Sequence, residues 1–371
     1  MCYNNIEFRF GVVLMDVRVN GFSIWVIILI SFITSFFLTF IVKKVAIFIN
    51  AMDEPNERKL QKVAMPRLGG LAIFGGFLLG YMIYGTVSTQ MLSVLIGGFV
   101  LIITGMIDDI KPVKASTKFI LQVIAATIVV VYGKLFFSNL TILGYIFNFD
   151  TWINMILSIF FIVSLINAIN LIDGLDGLAS GVASIFFATI TILGIMRNLL
   201  GGLDVILSLI MLGSTLGFLC HNFPPAKIFM GDTGSMFLGF MIAIIALLGY
   251  KVTTIQSIII PIVILFIPIF DTFMAIVRRI LKRESIGTPD NEHLHFQLLR
   301  MTSSPVKTVL LIYLVNIIFS AISIFYVLGD NIMAILLYIL NMLFFLFLVL
   351  KTNILFDHNK NKKIHKGKMI K

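Results

Sequence analysis

Long apolar runs alternate with short polar segments along most of the chain. About eleven runs approach the ~20 residues that a helix needs to cross the hydrocarbon core of a bilayer. They begin near residues 22, 68, 91, 117, 152, 178, 202, 234, 257, 307 and 331. Residues 135–149 are apolar but short, so a re-entrant or interfacial segment is expected there. The pattern predicts an all-α polytopic membrane protein with about 11 transmembrane helices.

Composition supports one membrane domain. Of the 371 residues, 59% are hydrophobic and 12% are charged, whereas about a quarter of the residues are charged in soluble proteins. The expected division is an N-terminal extension (1–21), an integral membrane domain (22–350) and a basic cytoplasmic tail (351–371). The first run is too long for a signal-peptide core and lacks a small-residue cleavage site, so it is expected to be retained. Translation from Met1 or from Met15 stays open.

Basic residues predict the orientation of the chain. Lys and Arg concentrate in one alternating set of loops, which is typical of the cytoplasmic side. The N-terminus is therefore expected outside and the C-terminus inside, with the polar motifs at the cytoplasmic face. The net charge of +10 is explained by this topology and by contact with anionic lipid, so it does not indicate nucleic-acid binding.

Carboxylates interrupt the apolar pattern at three places. Asp108 and Asp109 close one run, Asp173 and Asp176 follow another, and Asp232 begins a third. Carboxylates beside a bilayer are costly and usually face a polar cavity, and neighbouring carboxylates favour a cation between them. The alternatives are an interfacial helix end for the first pair, a polar packing seam for the second and a helix N-cap for Asp232.

A spacing of three extends the second motif. Asn167, Asn170, Asp173 and Asp176 fall on one face of a helix, or the glycines beside the aspartates open a loop in which the backbone approaches a ligand. A helix-packing seam is the alternative, but its two carboxylates would still need cations. We therefore favour a functional stripe.

Basic residues and histidines supply candidate phosphate contacts. His293 and His295 lie in a basic loop, where they could bind phosphate or be ordinary surface histidines. The prevalence of carboxylates favours a hard cation over zinc. Arg58 and Lys59 could grip phosphate, although the same residues could simply mark the cytoplasmic side. Asp271 precedes Arg278 by two helical turns, so a structural ion pair and a catalytic role are both open.

Together these residues resemble the polyprenyl-phosphate N-acetylhexosamine-1-phosphate transferase family, glycosyltransferase family 4. The resemblance spans roughly residues 22–350. It is carried by Asp53-Glu-Pro-Asn56, Arg58-Lys59, Pro66-Arg67-Leu-Gly-Gly70, Asp108-Asp109, Asn167 to Gly177, Gly231-Asp232-Thr-Gly-Ser235, Asp271-Thr272, Arg278-Arg279 and His293-Leu-His295. The His-Leu-His pattern is more similar to the N-acetylglucosamine branch than to the muramoyl-pentapeptide branch.

The resemblance implies that N-acetylglucosamine 1-phosphate passes from UDP-N-acetylglucosamine to undecaprenyl phosphate and that UMP is released. The expected setting is the cytoplasmic face of a bacterial plasma membrane, where the product would begin a polysaccharide such as teichoic acid or O-antigen. Mg²⁺ is the expected cofactor, with Mn²⁺ as an alternative. The expected partners are both substrates and membrane lipid, and a homodimer stays open.

The resemblance also assigns roles to residues. Asp232 would be the principal metal ligand, and Asp108 and Asp109 would assist the metal or deprotonate the lipid phosphate. Asp173 and Asp176 would serve catalysis or nucleotide binding. The substrate-binding set would be Arg58, Lys59, Asn167, Asn170, Arg278, Arg279, His293 and His295.

Two departures from the family pattern concern the sugar. Gln61 and Phe296 stand where the family often has histidine, so another UDP-N-acetylhexosamine or UDP-muramoyl-pentapeptide is an alternative donor. A membrane transporter is the alternative outside this class. Carriers usually place ionisable residues near the middle of the bilayer, whereas the predicted span centres here lack Asp, Glu, Lys and Arg.

Overall fold

The computed structural model describes residues 17–54, 63–142, 145–251, 259–283, 292–329 and 331–350, and helices dominate these ranges. The helices are α1 (Ile24–Phe48), α2 (Gly70–Tyr84), α3 (Thr89–Ile110), α4 (Ala115–Thr127), α5 (Thr151–Ile172), α6 (Leu178–Met196), α7 (Leu203–Asn222), α8 (Gly231–Lys251), α9 (Ile259–Ile264), α10 (Phe266–Lys282), α11 (Leu294–Thr302), α12 (Pro305–Leu328) and α13 (Asn331–Leu350). A π-helical turn, Ile128–Tyr132, continues α4.

Eight helices in the described ranges are long and apolar enough to cross a membrane. They are α1, α3, α4 with its π-helical turn, α5, α6, α7, α8 and α12. The prediction of a polytopic helical membrane protein is therefore confirmed. Because α2 has only 15 residues and no bilayer is present, the total of eleven spans and the orientation of the termini stay predictions.

The ninth apolar run forms two consecutive helices separated by a single residue, so its helix is interrupted, and its prediction as one membrane span stays a prediction. α9 ends at Ile264, Leu265 adopts a non-helical conformation, and α10 begins at Phe266. Pro268 has no backbone N–H to donate to the carbonyl of Ile264, and its ring crowds that carbonyl. An apolar pattern does not register this break because the side chains on both sides of it are apolar.

Three pairs of short antiparallel strands occur in the described residues; the first precedes α1 and the other two lie between helices. β1 (Arg18–Val19) pairs with β2 (Phe22–Ser23), β3 (Met52–Asp53) with β4 (Met65–Pro66), and β5 (Leu140–Ile142) with β6 (Tyr145–Phe147). The last hairpin lies within the segment predicted to be re-entrant or interfacial, and the side chains of β6 are exposed. Its position relative to a bilayer stays a prediction.

Helix α8 is the centre of the bundle. It packs against α2, α3, α5, α6 and α7, and 94% of its apolar window is buried, compared with 28% for α1. A helix that is apolar on all sides is expected in the interior. These five helices surround α8, so the position of its N-terminus determines which of their ends meet there.

Glycines permit the close approach at that N-terminus. A Cβ added to Gly105 of α3 would lie 2.4 Å from the backbone nitrogen of Thr233 in α8, and one added to Gly70 of α2 would lie 2.1 Å from the nitrogen of Gly234. Both contacts are with backbone, which cannot move aside as a flexible side chain can. At these two positions the helices can approach the backbone of α8 this closely only because they carry glycine.

We expect Gly105→Ala to destabilise the protein by roughly 1–3 kcal/mol, because the new methyl group would force α3 away from α8. Differential scanning fluorimetry of the purified protein in detergent measures the loss as a lower unfolding temperature. Gly98→Ala is the matched control, since a Cβ at Gly98 of the same helix would lie 3.4 Å from Phe237 Cε2, an ordinary contact. Equal unfolding temperatures for the two variants would contradict this account of the packing.

Candidate active site

Three carboxylates from two helices meet beside the N-terminus of α8. Asp108 and Asp109 are in the last turn of α3, and Asp232 is in the first turn of α8. One oxygen from each lies within 4.8 Å of the others, with Asp108 and Asp109 buried and Asp232 partly buried. Hard divalent cations prefer oxygen ligands of this kind, so the arrangement fits the predicted metal site.

Asp109 fixes the start of α8. Its carboxylate accepts hydrogen bonds from the backbone nitrogens of Asp232 (2.9 Å) and Thr233 (3.1 Å) and from Thr233 Oγ1 (2.6 Å). These donors belong to a helix end that has no intrahelical acceptors for them. Asp109 therefore acts as a cap supplied by another helix, and its predicted roles in metal binding or deprotonation stay predictions.

Gly231 must be glycine for two reasons. Its φ of +71° is in the left-handed region, and a Cβ at this position would lie 2.3 Å from Asp109 Oδ2. Glycine adopts this conformation without a steric penalty. The residue therefore lets the chain turn into α8 while the Asp109 carboxylate lies against its backbone.

Lys118 joins two of the carboxylates, and the sequence analysis missed it. Its Nζ lies 2.8 Å from Asp232 Oδ2 and 3.2 Å from Asp108 Oδ2. Asp108 Oδ1 also accepts a hydrogen bond from the Val113 nitrogen at 2.8 Å. A lysine near the start of an apolar helix resembles the positive residues that set topology, so no distinct signal marked it.

The Asp173–Gly177 loop carries a fourth carboxylate near the group, close enough for the charges of Asp232 and Asp109 to act on it. Burial and the negative charges of Asp232 and Asp109 hold the pKa of the Asp173 carboxyl well above its usual range, and the positive charge of Arg67 opposes them. The positive charges of Lys118 and Arg67 do not balance the negative charges of these carboxylates. A bound cation would lower the pKa of Asp173 and relieve the repulsion.

Asp176 faces a neighbouring segment of the chain. Its Oδ2 accepts a hydrogen bond from the Ala226 nitrogen at 2.9 Å, and burial raises its pKa despite this bond. The two aspartates of the motif thus have different surroundings: Asp173 lies among charged groups, whereas Asp176 is tied to the segment that leads into α8.

Asn167 and Asn170 form hydrogen bonds between helices, as expected for a polar seam at which helices pack. Asn167 Nδ2 donates to Gln122 Oε1 of α4 at 2.7 Å, and Asn170 Nδ2 donates to Ser235 Oγ of α8 at 2.8 Å. These bonds hold α5 against its neighbours close to the carboxylates. Their predicted role in substrate binding stays a prediction.

Asn222 is a further residue that the sequence analysis missed. Its Oδ1 accepts hydrogen bonds from the Gly177 nitrogen and Ser180 Oγ, both at 3.0 Å, and its Nδ2 donates to the Ile228 carbonyl at 3.1 Å. Tyr313 Oη of α12 also donates to the Gly177 carbonyl. Asn222 therefore joins the aspartate loop to the segment before α8.

A second polar cluster forms around Asp271 of α10. Its Oδ1 accepts a hydrogen bond from the Leu294 nitrogen at 2.9 Å and lies 3.3 Å from His293 Nδ1, while its Oδ2 lies 3.4 Å from His295 Nδ1. The ion pair considered with Arg278 is therefore not the main contact of this carboxylate. Arg278 Nε lies 3.8 Å from Glu292 Oε2 instead.

The second cluster reaches the first through His295. A Cβ on Gly174 would lie 2.4 Å from His295 Nε2, so this imidazole lies directly against the aspartate loop. Arg278 and Arg279 are both buried in α10, and Arg279 Nε has no hydrogen-bond acceptor among the described residues. The predicted residues Arg58 and Lys59 lie outside the described ranges.

The two clusters together suit a polyphosphate ligand. One end of the site presents carboxylates able to hold a divalent cation, and the other presents imidazole and guanidinium groups that can contact phosphate oxygens. The carboxylates of the first cluster lie at the ends of apolar helices, and the second cluster is carried by α10 and by the start of α11. This combination defines a membrane protein with a phosphoryl-transfer type of site.

Comparison with known proteins agrees with this class. The family model described as glycosyl transferase family 4 matches residues 91–250, a range that includes the three aspartate motifs. A probable undecaprenyl-phosphate N-acetylglucosaminyl 1-phosphate transferase of Bacillus subtilis is 44% identical over 79% of this chain and 82% of its own length. The chain belongs to glycosyl transferase family 4, as its motifs predicted.

Relatives with lower sequence identity carry names similar to that of the Bacillus subtilis protein. The decaprenyl-phosphate N-acetylglucosaminephosphotransferase of Mycobacterium leprae is 34% identical over 76% of this chain and 78% of its own length. The undecaprenyl-phosphate alpha-N-acetylglucosaminyl 1-phosphate transferase of Haemophilus influenzae is 30% identical over 80% of this chain and 85% of its own length. The similarity therefore extends across most of the membrane domain.

Thr233→Val tests whether the Asp109 cap stabilises the fold. The substitution removes the hydroxyl donor to Asp109, so we expect the free energy of unfolding to fall by about 1–2 kcal/mol. Denaturant titration in detergent, followed by circular dichroism, gives this value. The matched control is Thr215→Val, because the buried Thr215 hydroxyl donates only within its own helix, to the Met211 carbonyl. Equal losses in the two variants would show that Asp109 has no special structural role.

Proposed function

We propose that this protein transfers N-acetylglucosamine 1-phosphate from UDP-N-acetylglucosamine to undecaprenyl phosphate with the help of Mg²⁺. The observation that carries the proposal is the meeting of Asp108, Asp109, Asp232 and Lys118 with the Asp173 loop at helix ends. The names of the relatives from Bacillus subtilis and Haemophilus influenzae support the choice of lipid and sugar. The bacterial plasma membrane and its cytoplasmic face belong to the same proposal.

The reaction exchanges one phosphoanhydride for another. An oxygen of the lipid phosphate attacks the phosphorus that bears the sugar, the bond from this phosphorus to the bridging oxygen breaks, and that oxygen leaves with UMP. Because a phosphate monoester is largely ionised at neutral pH, the attacking oxygen already carries negative charge. The main tasks of the protein are to bring two anions together and to stabilise the charge of the transition state.

Asp232 and Asp108 are suited to hold Mg²⁺, since one oxygen of each faces the same space. Bound there, the ion would neutralise charge on the diphosphate. Lys118 contacts both carboxylates and is close enough to donate to a phosphate oxygen that enters the group. Asp109 keeps Asp232 in place through the backbone of α8.

The cluster of His293, His295 and the arginines of α10 would bind the sugar-nucleotide donor. His295 contacts the loop that carries Asp173, so phosphates placed between the two clusters would meet cationic groups on one side and the metal ligands on the other. The lipid tail of the acceptor would lie along the apolar surfaces of the bundle. Its phosphate needs to reach only the helix ends.

The direct test is to incubate the purified protein with undecaprenyl phosphate, Mg²⁺ and UDP-N-acetylglucosamine. Release of UMP and formation of a diphosphate-linked glycolipid, followed by thin-layer chromatography, would establish the transferase. Asp232→Asn is expected to abolish turnover. Product formation with another UDP-sugar but not with this one would correct the donor, and an absence of product with every UDP-sugar would overturn the proposal.

The variant Lys118→Met should separate Mg²⁺ binding from catalytic turnover at the carboxylate cluster. Removing a positive charge about 3 Å from the carboxylates should strengthen Mg²⁺ binding at least about tenfold, since unit charges this close interact by several kcal/mol even at an effective dielectric of 20. It should also lower kcat about a hundredfold because one donor to the transferring phosphoryl group is lost. Isothermal titration with MgCl₂ in the absence of substrate reports the first effect.

Lys114→Met is the matched control, since Lys114 is exposed at the start of the same helix. Its Mg²⁺ affinity and kcat should equal those of the unaltered protein. If Lys118→Met binds Mg²⁺ no more tightly than this control does, the metal is not held by Asp108 and Asp232.

A further inference from the structure

Asp271 is a buried carboxylate to which the proposed reaction assigns no step. It is 1% exposed, and the two histidines beside it are 5% and 2% exposed. A buried carboxylate without compensating contacts is unfavourable. Its neighbours are the Nδ1 atoms of His293 and His295 and the backbone nitrogen of Leu294, so its surroundings are built almost entirely from the histidine motif.

The geometry assigns each histidine to its own oxygen. His293 Nδ1 lies 3.3 Å from Oδ1 and His295 Nδ1 lies 3.4 Å from Oδ2, and the imidazole rings stack with centroids 5.5 Å apart and planes 10° apart. Neither Nδ1 makes a hydrogen bond of ordinary geometry among the described residues, so its contact with Asp271 is a close approach and no other group competes for it. Hydrogen bonds of active-site groups are often this long without substrate and shorten in the substrate complex.

A carboxylate can only accept hydrogen bonds, so it favours the imidazole tautomer with its proton on Nδ1. The remaining polar atom of each ring is then Nε2. For His295 this atom is buried, has no hydrogen-bond partner among the described residues, and lies against Gly174 of the aspartate loop. Burial also lowers the pKa of His295, so the neutral ring is favoured before a ligand arrives.

We propose that Asp271 is a positioning residue that holds His293 and His295 with a proton on Nδ1 and thereby presents Nε2 of His295 to the diphosphate of the sugar nucleotide. The inference rests on the proposed function for the identity of the ligand. With Nδ1–H directed at Asp271, Nε2 can take up a proton and donate it in a hydrogen bond to a phosphate oxygen. The negative charge of Asp271 then balances the imidazolium ion inside the protein.

The variant Asp271→Asn tests the proposal because the oxygen of the side-chain amide accepts hydrogen bonds whereas its nitrogen donates them. The amide oxygen can still accept from the Leu294 nitrogen and from His293 Nδ1, which share the Oδ1 position. The amide nitrogen then faces His295 Nδ1 and requires it to accept. We therefore expect the tautomer of His295 to switch to Nε2–H while that of His293 is unchanged.

The tautomers are read from ¹⁵N-edited spectra of the full chain labelled at histidine and placed in lipid nanodiscs. The chain has 5 histidines, and the variants His293→Gln and His295→Gln assign the two signals of interest. The unaltered protein should show Nδ1–H at both positions. In the absence of substrate, a neutral ring with its proton on Nε2 at either residue of the unaltered protein would overturn the proposal, even if Asp271→Asn failed to fold.

Kinetics then connect the tautomer with substrate binding. The KM of Asp271→Asn for UDP-N-acetylglucosamine should rise at least tenfold, whereas its KM for undecaprenyl phosphate should be unchanged. Thr272→Val is the control on the same helix, since the Thr272 hydroxyl donates to the Pro268 carbonyl and not to the cluster. Its spectrum and both KM values should match those of the unaltered protein.

The outcomes are distinct from those that test the proposed function. The spectra require no turnover, so they decide the tautomer even if the donor sugar is another one. A switch at His295 with an unchanged KM for the donor would overturn the positioning role. A loss of affinity for both substrates, with no change of tautomer, would show that Asp271 acts only in folding.

Discussion

The hydrogen bonds from the start of α8 to the Asp109 carboxylate are the contacts on which the site depends. They fasten the end of α3 to the N-terminus of the most buried helix, and the left-handed Gly231 lets the chain enter that helix beside the carboxylate. Asp232 is thereby held next to Asp108. The partial positive charge of a helix N-terminus also favours the nearby acidic groups. One buried carboxylate thus determines both the packing of the bundle and the position of its neighbours.

The apolar bundle restricts chemistry to the ends of its helices. Charged groups are expensive within hydrocarbon, and the catalytic candidates Asp108, Asp173 and Asp232 accordingly occur in a last turn, at a C-terminal cap and in a first turn. Their mutual distances therefore follow from where neighbouring helices stop. Glycine at positions 70 and 105 permits these ends to meet, since a single added methyl group would collide with the backbone of α8.

The helical membrane fold and the aspartate motifs could be predicted from the sequence because both depend on the difference between apolar runs and the polar residues that interrupt them. An acid that interrupts an apolar run is conspicuous, as Asp173 and Asp232 are. Lys118 and Asn222 were missed because their importance comes from partners distant in the chain, such as Asp232 for the lysine. The break before α10 was missed because apolar side chains on either side conceal the missing donor of Pro268.

The Asp173–Gly177 loop lies between the carboxylate cluster and the histidine cluster, so the proposed metal binding and donor recognition would be carried by different helices. The α3 and α8 ends hold the carboxylates, α10 and α11 hold the histidine cluster, and His295 meets the loop at Gly174. Asn222 and Tyr313 fix the other end of this loop. The loop is therefore held by contacts at Gly174 and Gly177, and its length sets the distance from the imidazoles to the carboxylates. A diphosphate has a fixed length, so a loop held in this way would select for it, whereas the helices that carry the carboxylates need not change when the sugar does.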